Sequence, residues 1–144
     1  MYRILSSSKD TYITNTLSVE NAVYIANKLN IPLLYVSTAG IFDGKKLQYD
    51  EDDLPVPTST YAKTKYEAEQ VLEEWRRESD ARSLIIVRPT VIFGEGNRGN
   101  VFNLLNQIAG GLFVMIGGGR NKKSMAYVGN VAAFLKDCAK TDVQ

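Results

Sequence analysis

Short apolar runs along this chain alternate with longer stretches in which apolar residues recur at helical spacing. Residues 15–30 carry Leu17, Ala22, Ile25, Ala26 and Leu29 at that spacing, which predicts a helix. The run Ile31-Pro-Leu-Leu-Tyr-Val-Ser37 predicts a buried strand over 33–37 that ends in the hydroxyls of Ser37 and Thr38. From Gly40 to Pro57 the chain is polar and predicts a long loop, in which Pro55 and Pro57 hold off the next helix. That helix is expected over 59–79, with Tyr61, Ala68, Leu72 and Trp75 along one stripe. Leu84-Ile-Ile-Val-Arg88, bounded by Pro89, predicts a second buried strand. A helix over 100–109, a short strand over 112–116 and a helix over 130–140 follow, and residues 1–6 read as a further short strand. Strands that alternate with helices predict an α/β fold with a parallel sheet.

Composition narrows the function classes. A chain of 144 residues suits one domain with a real core, 1–144. A net charge of +1 speaks against a nucleic-acid or membrane surface. No apolar run is long enough to span a bilayer, and the first residues do not read as a signal peptide. The single cysteine, Cys138, fits a reducing cytoplasm and falls in an amphipathic pattern, where it reads as a packing residue. The chain contains no histidine, which removes Ser-His-Asp and Cys-His chemistry and the usual zinc sites. Acid/base work falls to Tyr, Lys, Asp or Glu. The acidic run at 50–53 reads as a solvated loop, and no metal is assigned to it.

Tyr61 and Lys65 stand one helical turn apart, which places a phenol and an ammonium on one helix face. A free tyrosine has a pKa of about 10, and a close cation favours the phenolate. Such a pair can move a proton on and off an alcohol oxygen, and the Thr38 hydroxyl could hold that oxygen. The same spacing is common on solvated helix faces, so context decides. In open α/β sheets ligands bind beyond the carboxyl ends of strands, where Ser37 and Thr38 are expected.

Gly94-Glu-Gly96-Asn-Arg-Gly99 matches the dinucleotide fingerprint G-x-G-x-x-G. The acidic residue expected about 20 positions on is missing, however, because residues 110–120 hold no Asp or Glu. A loop that shapes a substrate pocket is therefore the preferred reading, in which Arg98, Arg120, Lys122 and Lys123 offer cations for a diphosphate, and simple solvated charge stands as the equal alternative for these four.

Together these segments resemble the extended short-chain dehydrogenase/reductase family of nucleotide-sugar epimerases, dehydratases and 4-keto reductases. Tyr35-Val-Ser-Thr-Ala-Gly-Ile-Phe-Asp-Gly44 is similar to the strand and loop of dTDP-4-dehydrorhamnose reductases, and Ser59-Thr-Tyr61-Ala-Lys-Thr-Lys65 to the family's Tyr-x-x-x-Lys helix. Arg88-Pro-Thr-Val-Ile-Phe-Gly94 resembles the next strand of the epimerases, and 97–105 and 123–130 their substrate segments. The resemblance implies a partial Rossmann-like, doubly wound parallel sheet with flanking helices, truncated at both ends, with about 94–130 contributing to substrate binding. It implies Tyr61 as acid/base and cofactor contact, Lys65 as its cation and ribose ligand, and Thr38 as a catalytic and substrate-binding residue that hydrogen-bonds the reacting oxygen. Pro89 falls where the family meets the nicotinamide, and Asn100 and Lys123 at substrate contacts. NAD or NADP is the implied cofactor and a nucleotide sugar the implied substrate.

The family's glycine-rich strand-turn-helix is not among residues 1–10, which hold no glycine. Two further readings therefore stand beside the enzyme. One is a non-catalytic relative acting as a binding or assembly module. The other is a small phosphate-binding domain built on Gly94–Gly99. A shortened sheet with an open edge also predicts self-association into a homo-oligomer.

Overall fold

The computed structural model describes residues 8–115, 118–120 and 122–140. The strand expected over 1–6 lies outside the described residues. The chain divides into two compact units, which meet between Arg88 and Pro89 in sequence.

The first unit opens with helix α1 (Ser8–Tyr12), a π-helical turn (Ile13–Leu17) and helix α2 (Ser18–Leu29). Its buried face is set by Val19 and Ala26, with Val23 packed between them in sequence. Ile25 and Leu29, expected on the inner stripe, are 51% and 63% exposed instead. Asn30 ends the helix in the left-handed conformation (φ 51°), and the Ile31 N–H returns to the Ala26 carbonyl at 3.2 Å. Asn tolerates this geometry better than most side chains, so the chain turns here into β1 (Leu33–Val36). The loop beyond β1 begins with a 3₁₀ turn (Ala39–Ile41) that buries Ile41 completely.

Helix α3 (Thr60–Arg77) is capped by the Ser59 hydroxyl, which accepts the Ala62 N–H at 3.1 Å. Arg76 and Arg77 place positive charge at its C-terminal end, where the helix dipole favours it. Ala68, Leu72 and Trp75 are buried as their spacing predicts. Tyr61 is not part of that stripe, because it is 50% exposed. The Trp75 indole N–H donates to the Asn27 side chain at 2.7 Å, which fastens α3 to α2. Strand β2 (Leu84–Val87) then pairs in parallel with β1, in the register Leu33↔Leu84 to Val36↔Val87. This β1–α3–β2 unit closes a core of Val19, Ala68 and Leu72, flanked by Leu33, Tyr35, Val71 and Leu84.

The second unit holds β3 (Val91–Phe93), α4 (Asn100–Ala109), β4 (Met125–Tyr127) and α5 (Val128–Cys138). β3 and β4 pair in parallel, Val91↔Met125 to Phe93↔Tyr127. The strand expected over 112–116 is not formed: residues 112–115 are irregular, and residue 116 lies outside the described residues. The strand lies further on, at β4, where Ala126 is partly covered between exposed neighbours. α4 covers its predicted 100–109, whereas α5 starts two residues before the expected 130.

Candidate active site

The carboxyl end of β1 gathers the polar groups of the first unit. Lys65 of α3 donates from Nζ to the Val36 carbonyl at 3.0 Å, and the same ammonium lies 4.7 Å from the centre of the Tyr35 ring. The helix cation is thus fixed beside Ser37 and Thr38. Ser37 donates its backbone N–H to Val87 at 2.7 Å, while its Oγ is buried and has no partner among the described residues. Thr38 is half-buried and extended (φ −153°, ψ 140°), and its Oγ1 accepts the Gly40 N–H at 3.1 Å. Tyr61 stands in the first turn of α3 with half of its surface open.

Burial and charge set the electrostatics here. Burial holds the Lys65 ammonium below the usual lysine range, and the Glu69 carboxylate opposes that shift. The Tyr35 phenol is pushed up to about 12, first by burial and then by the negative charge of Glu69 and the nearby Tyr61. Its hydroxyl is also buried and unpaired among the described residues. Glu69 is fully buried and is held by Arg88 through Nε to both carboxylate oxygens (3.2 Å each) and Nη2 to Oε2 (2.8 Å).

Two further supports had no counterpart among the expected site residues. The π turn directs Asn15 and Thr16 onto Thr64, with Asn15 Nδ2 3.1 Å from Thr64 Oγ1 and Thr16 Oγ1 3.1 Å from the Thr64 carbonyl. Thr64 Oγ1 in turn donates to the Tyr61 carbonyl at 3.0 Å, so the turn that bears Tyr61 is braced from outside its helix. In the loop after Thr38, Phe42 stacks on Tyr49 (centroids 4.5 Å apart), and the Tyr49 hydroxyl donates to Asp43 at 2.6 Å. That bond, with help from Lys45, holds the Asp43 carboxyl at about 2. Lys46 pairs with Asp53, which ties the acidic run back to the loop. The sequence signal that could have revealed Glu69 is a carboxylate inside the apolar stripe, next to Ala68 and one turn after Lys65.

The remaining expected residues lie in the second unit. Pro89 is half-buried before β3, Asn100 is the exposed first residue of α4, and Lys123 is exposed before β4. The glycine motif connects β3 to α4. A Cβ at Gly94 would sit 2.2 Å from Val128 Cγ1, so glycine is required there by the close approach of α5. The Asn97 side chain accepts the Gly99 N–H at 2.9 Å and donates to the Ile92 carbonyl at 3.0 Å. The Gly99 N–H is thereby spent inside the loop. Tyr127 closes the same loop by donating to the Glu95 carboxylate at 3.0 Å, which pushes the phenol upward.

Residues 5–117, more than half of the chain, match the RmlD substrate binding domain. The chain belongs to this family. Its members are of the short-chain dehydrogenase/reductase type described above. An Escherichia coli O157:H7 relative, N-acetyl-alpha-D-glucosaminyl-diphospho-ditrans,octacis-undecaprenol 4-epimerase, is 46% identical over 127 residues, 87% of this chain and 38% of its own length. The Xenopus laevis methionine adenosyltransferase 2 subunit beta is 29% identical over 83 residues, 58% of this chain and 23% of its own. Among solved structures, UDP-glucuronic acid 4-epimerase from Bacillus cereus, in complex with UDP-glucuronic acid and NAD, superposes with a TM-score of 0.75 at 19% identity. That match covers 91% of this chain and 43% of the epimerase, and it shows the Rossmann-type α/β fold. This member of the family therefore spans well under half the length of these relatives.

Proposed function

We propose that this chain carries the proton-transfer core of an NAD(P)-dependent nucleotide-sugar epimerase, dehydratase or reductase. The observation that carries the reading is the Lys65 ammonium bound to the last carbonyl of β1, directly before Ser37 and Thr38. A helix-borne Tyr-x-x-x-Lys pair and a strand-borne hydroxyl pair are thereby anchored to one strand end. In this reading Tyr61 takes the proton from a sugar hydroxyl and returns it, and Thr38 holds the reacting oxygen. Lys65 supplies the neighbouring positive charge and binds the cofactor's ribose. Pro89 meets the nicotinamide, and Asn100 and Lys123 hold the substrate, within a region of about 94–130.

The residues present suit the ribose-nicotinamide half of such a cofactor. The Ser37 Oγ is buried without a partner among the described residues, and an ammonium has three donors, of which Lys65 spends one on Val36. Both favour a hydroxyl-rich ligand. Such a cofactor would supply the hydride chemistry, taking a hydride from a sugar carbon and returning it in an epimerase or dehydratase, or donating one in a reductase. Among the reactions of the family, 4-epimerisation is favoured by the 46% identity to the undecaprenol-linked 4-epimerase. A match of that length necessarily spans residues 38 to 123. N-acetylhexosamine on a diphosphate carrier is then the proposed substrate class. The lysine at 123 acts on that diphosphate as a point charge.

The second reading, a binding or assembly module without catalysis, is favoured by the likeness to a relative named as a subunit. Calorimetric titration of the chain with NAD, NADH, NADP and NADPH, followed by a 4-epimerisation assay on UDP-N-acetylglucosamine, separates the two. Cofactor binding with product formation supports the enzyme. Absence of both overturns it in favour of the module.

A further inference from the structure

Glu69 follows Lys65 by four residues, so the two side chains are neighbours on α3 and have the spacing of a helical ion pair. They do not make one. Glu69 is fully buried, and both of its oxygens are occupied by Arg88, at 2.8 and 3.2 Å. Lys65 reaches instead for the Val36 carbonyl. A buried carboxylate must be paired, and two cations compete for this one. Arg88 prevails for two physical reasons. Its planar fork matches both oxygens, whereas an ammonium is a single point charge. It is also fixed in place: it follows β2 directly, where Ser37 N–H bonds the Val87 carbonyl, and its guanidinium lies 5.9 Å from the Phe42 ring centre.

We infer that Arg88 is a positioning residue for Lys65: by occupying Glu69 it prevents a Lys65–Glu69 ion pair and leaves the ammonium on the end of β1. The inference rests on the reading of Lys65 as the cation of the candidate site. Without Arg88, the carboxylate would turn to the ammonium one helical turn away, and the attraction would be strong because the pair is shielded from water. Lys65 would then leave Val36, and the proton would be held more tightly on its Nζ.

Tyr35 from β1 faces Lys65 with its ring, and Glu69 acts on it from its own helix with Arg88 behind, while Tyr61 stands one turn before Lys65 and acts on Tyr35. Of the other helices packed on α3, α1 brings Asp10 and Tyr12, and α2 brings Glu20, Tyr24 and Lys28. These are common to every variant below and cancel in the comparison.

The test is the titration of Lys65, followed by NMR of chain labelled at lysine Cε, its signal being the one lost in Lys65→Met. Arg88→Met is expected to raise the Lys65 midpoint by about one pH unit or more. In a Glu69→Gln background the same Arg88→Met change is expected to move it little. This contrast separates capture by Glu69 from simple loss of a repelling charge. If Arg88→Met does not fold, Arg88→Lys decides, with a smaller upward movement that again requires Glu69. An unmoved midpoint in the folded Arg88 variant, or an equal movement with Gln at 69, overturns the proposal. The readout needs no turnover, so a chain that proves inactive leaves it standing, and a failed titration leaves the proposed reaction standing.

Discussion

Lys65 Nζ lies 3.0 Å from the carbonyl oxygen of Val36 and joins the middle of the β1–α3 crossover to the end of its first strand. The bond crosses 29 residues of sequence, and the loop it closes contains Ser37, Thr38 and Tyr61. One contact therefore orders three of the residues on which the proposed chemistry depends.

The same contact has a pH signature. Burial lowers the affinity of Lys65 for its proton in the folded state, while the unfolded lysine titrates near 10.5. Between the folded midpoint and about 10.5 the unfolded chain binds more protons, so this residue's contribution to stability rises with pH across that window. Lys65→Met should abolish the rise. Urea unfolding at pH 7 and at pH 10.5 is the check, with parent minus variant stability expected to be greater at the higher pH.

Tyr35 gives the opposite slope. Its phenol is held up to about 12 in the folded chain against 10.0 for the free group, so its contribution is complete below pH 10 and is lost as pH rises through 12. Tyr35→Phe should remove that alkaline loss. It also deletes a buried hydroxyl that has no partner among the described residues, so at pH 7 the variant should be as stable as the parent or more stable by about 1 kcal/mol. Alkaline unfolding monitored by circular dichroism reads both effects.

How much of this was legible in the sequence depended on whether a feature was local. The period of α3, the apolar run of β2 and the Tyr61–Lys65 spacing are local, and the structure places these elements where their patterns predict. β3 and β4 are three residues each and, among the described residues, pair with one another, so neither has enough sequence to display a period. The inner face of α2 was misjudged because Ile25 and Leu29 are as apolar as Val19 and Val23, and contact with α3 chooses between the two faces. Thr38, Tyr61 and Lys65 could be named from spacing, whereas Thr64, Glu69 and Arg88 act through partners 19 to 49 residues away. No short motif encodes such a pairing.

The N-cap of α3 should matter more to the site than its size suggests. Ser59 Oγ holds the Ala62 N–H, and Tyr61 lies between them in the first turn. Ser59→Ala is expected to cost about 1 kcal/mol, about 3 to 5 °C in Tm for a chain of this length. Ser59→Asp should restore most of it, because the carboxylate caps equally well. Calorimetric scans of the three proteins give the answer, and equal Tm values for parent and Ser59→Ala would exclude the cap as a stabilising contact.

The central claim is that Tyr61 moves the proton. Half of its surface is exposed, so Tyr61→Phe should leave Tm close to the parent's. Measured as kcat for interconversion of a nucleotide sugar in the presence of added NAD, the substitution is predicted to lower turnover by about 10² to 10⁴. Turnover equal to that of the parent, in a folded variant with unchanged cofactor binding, would contradict the account.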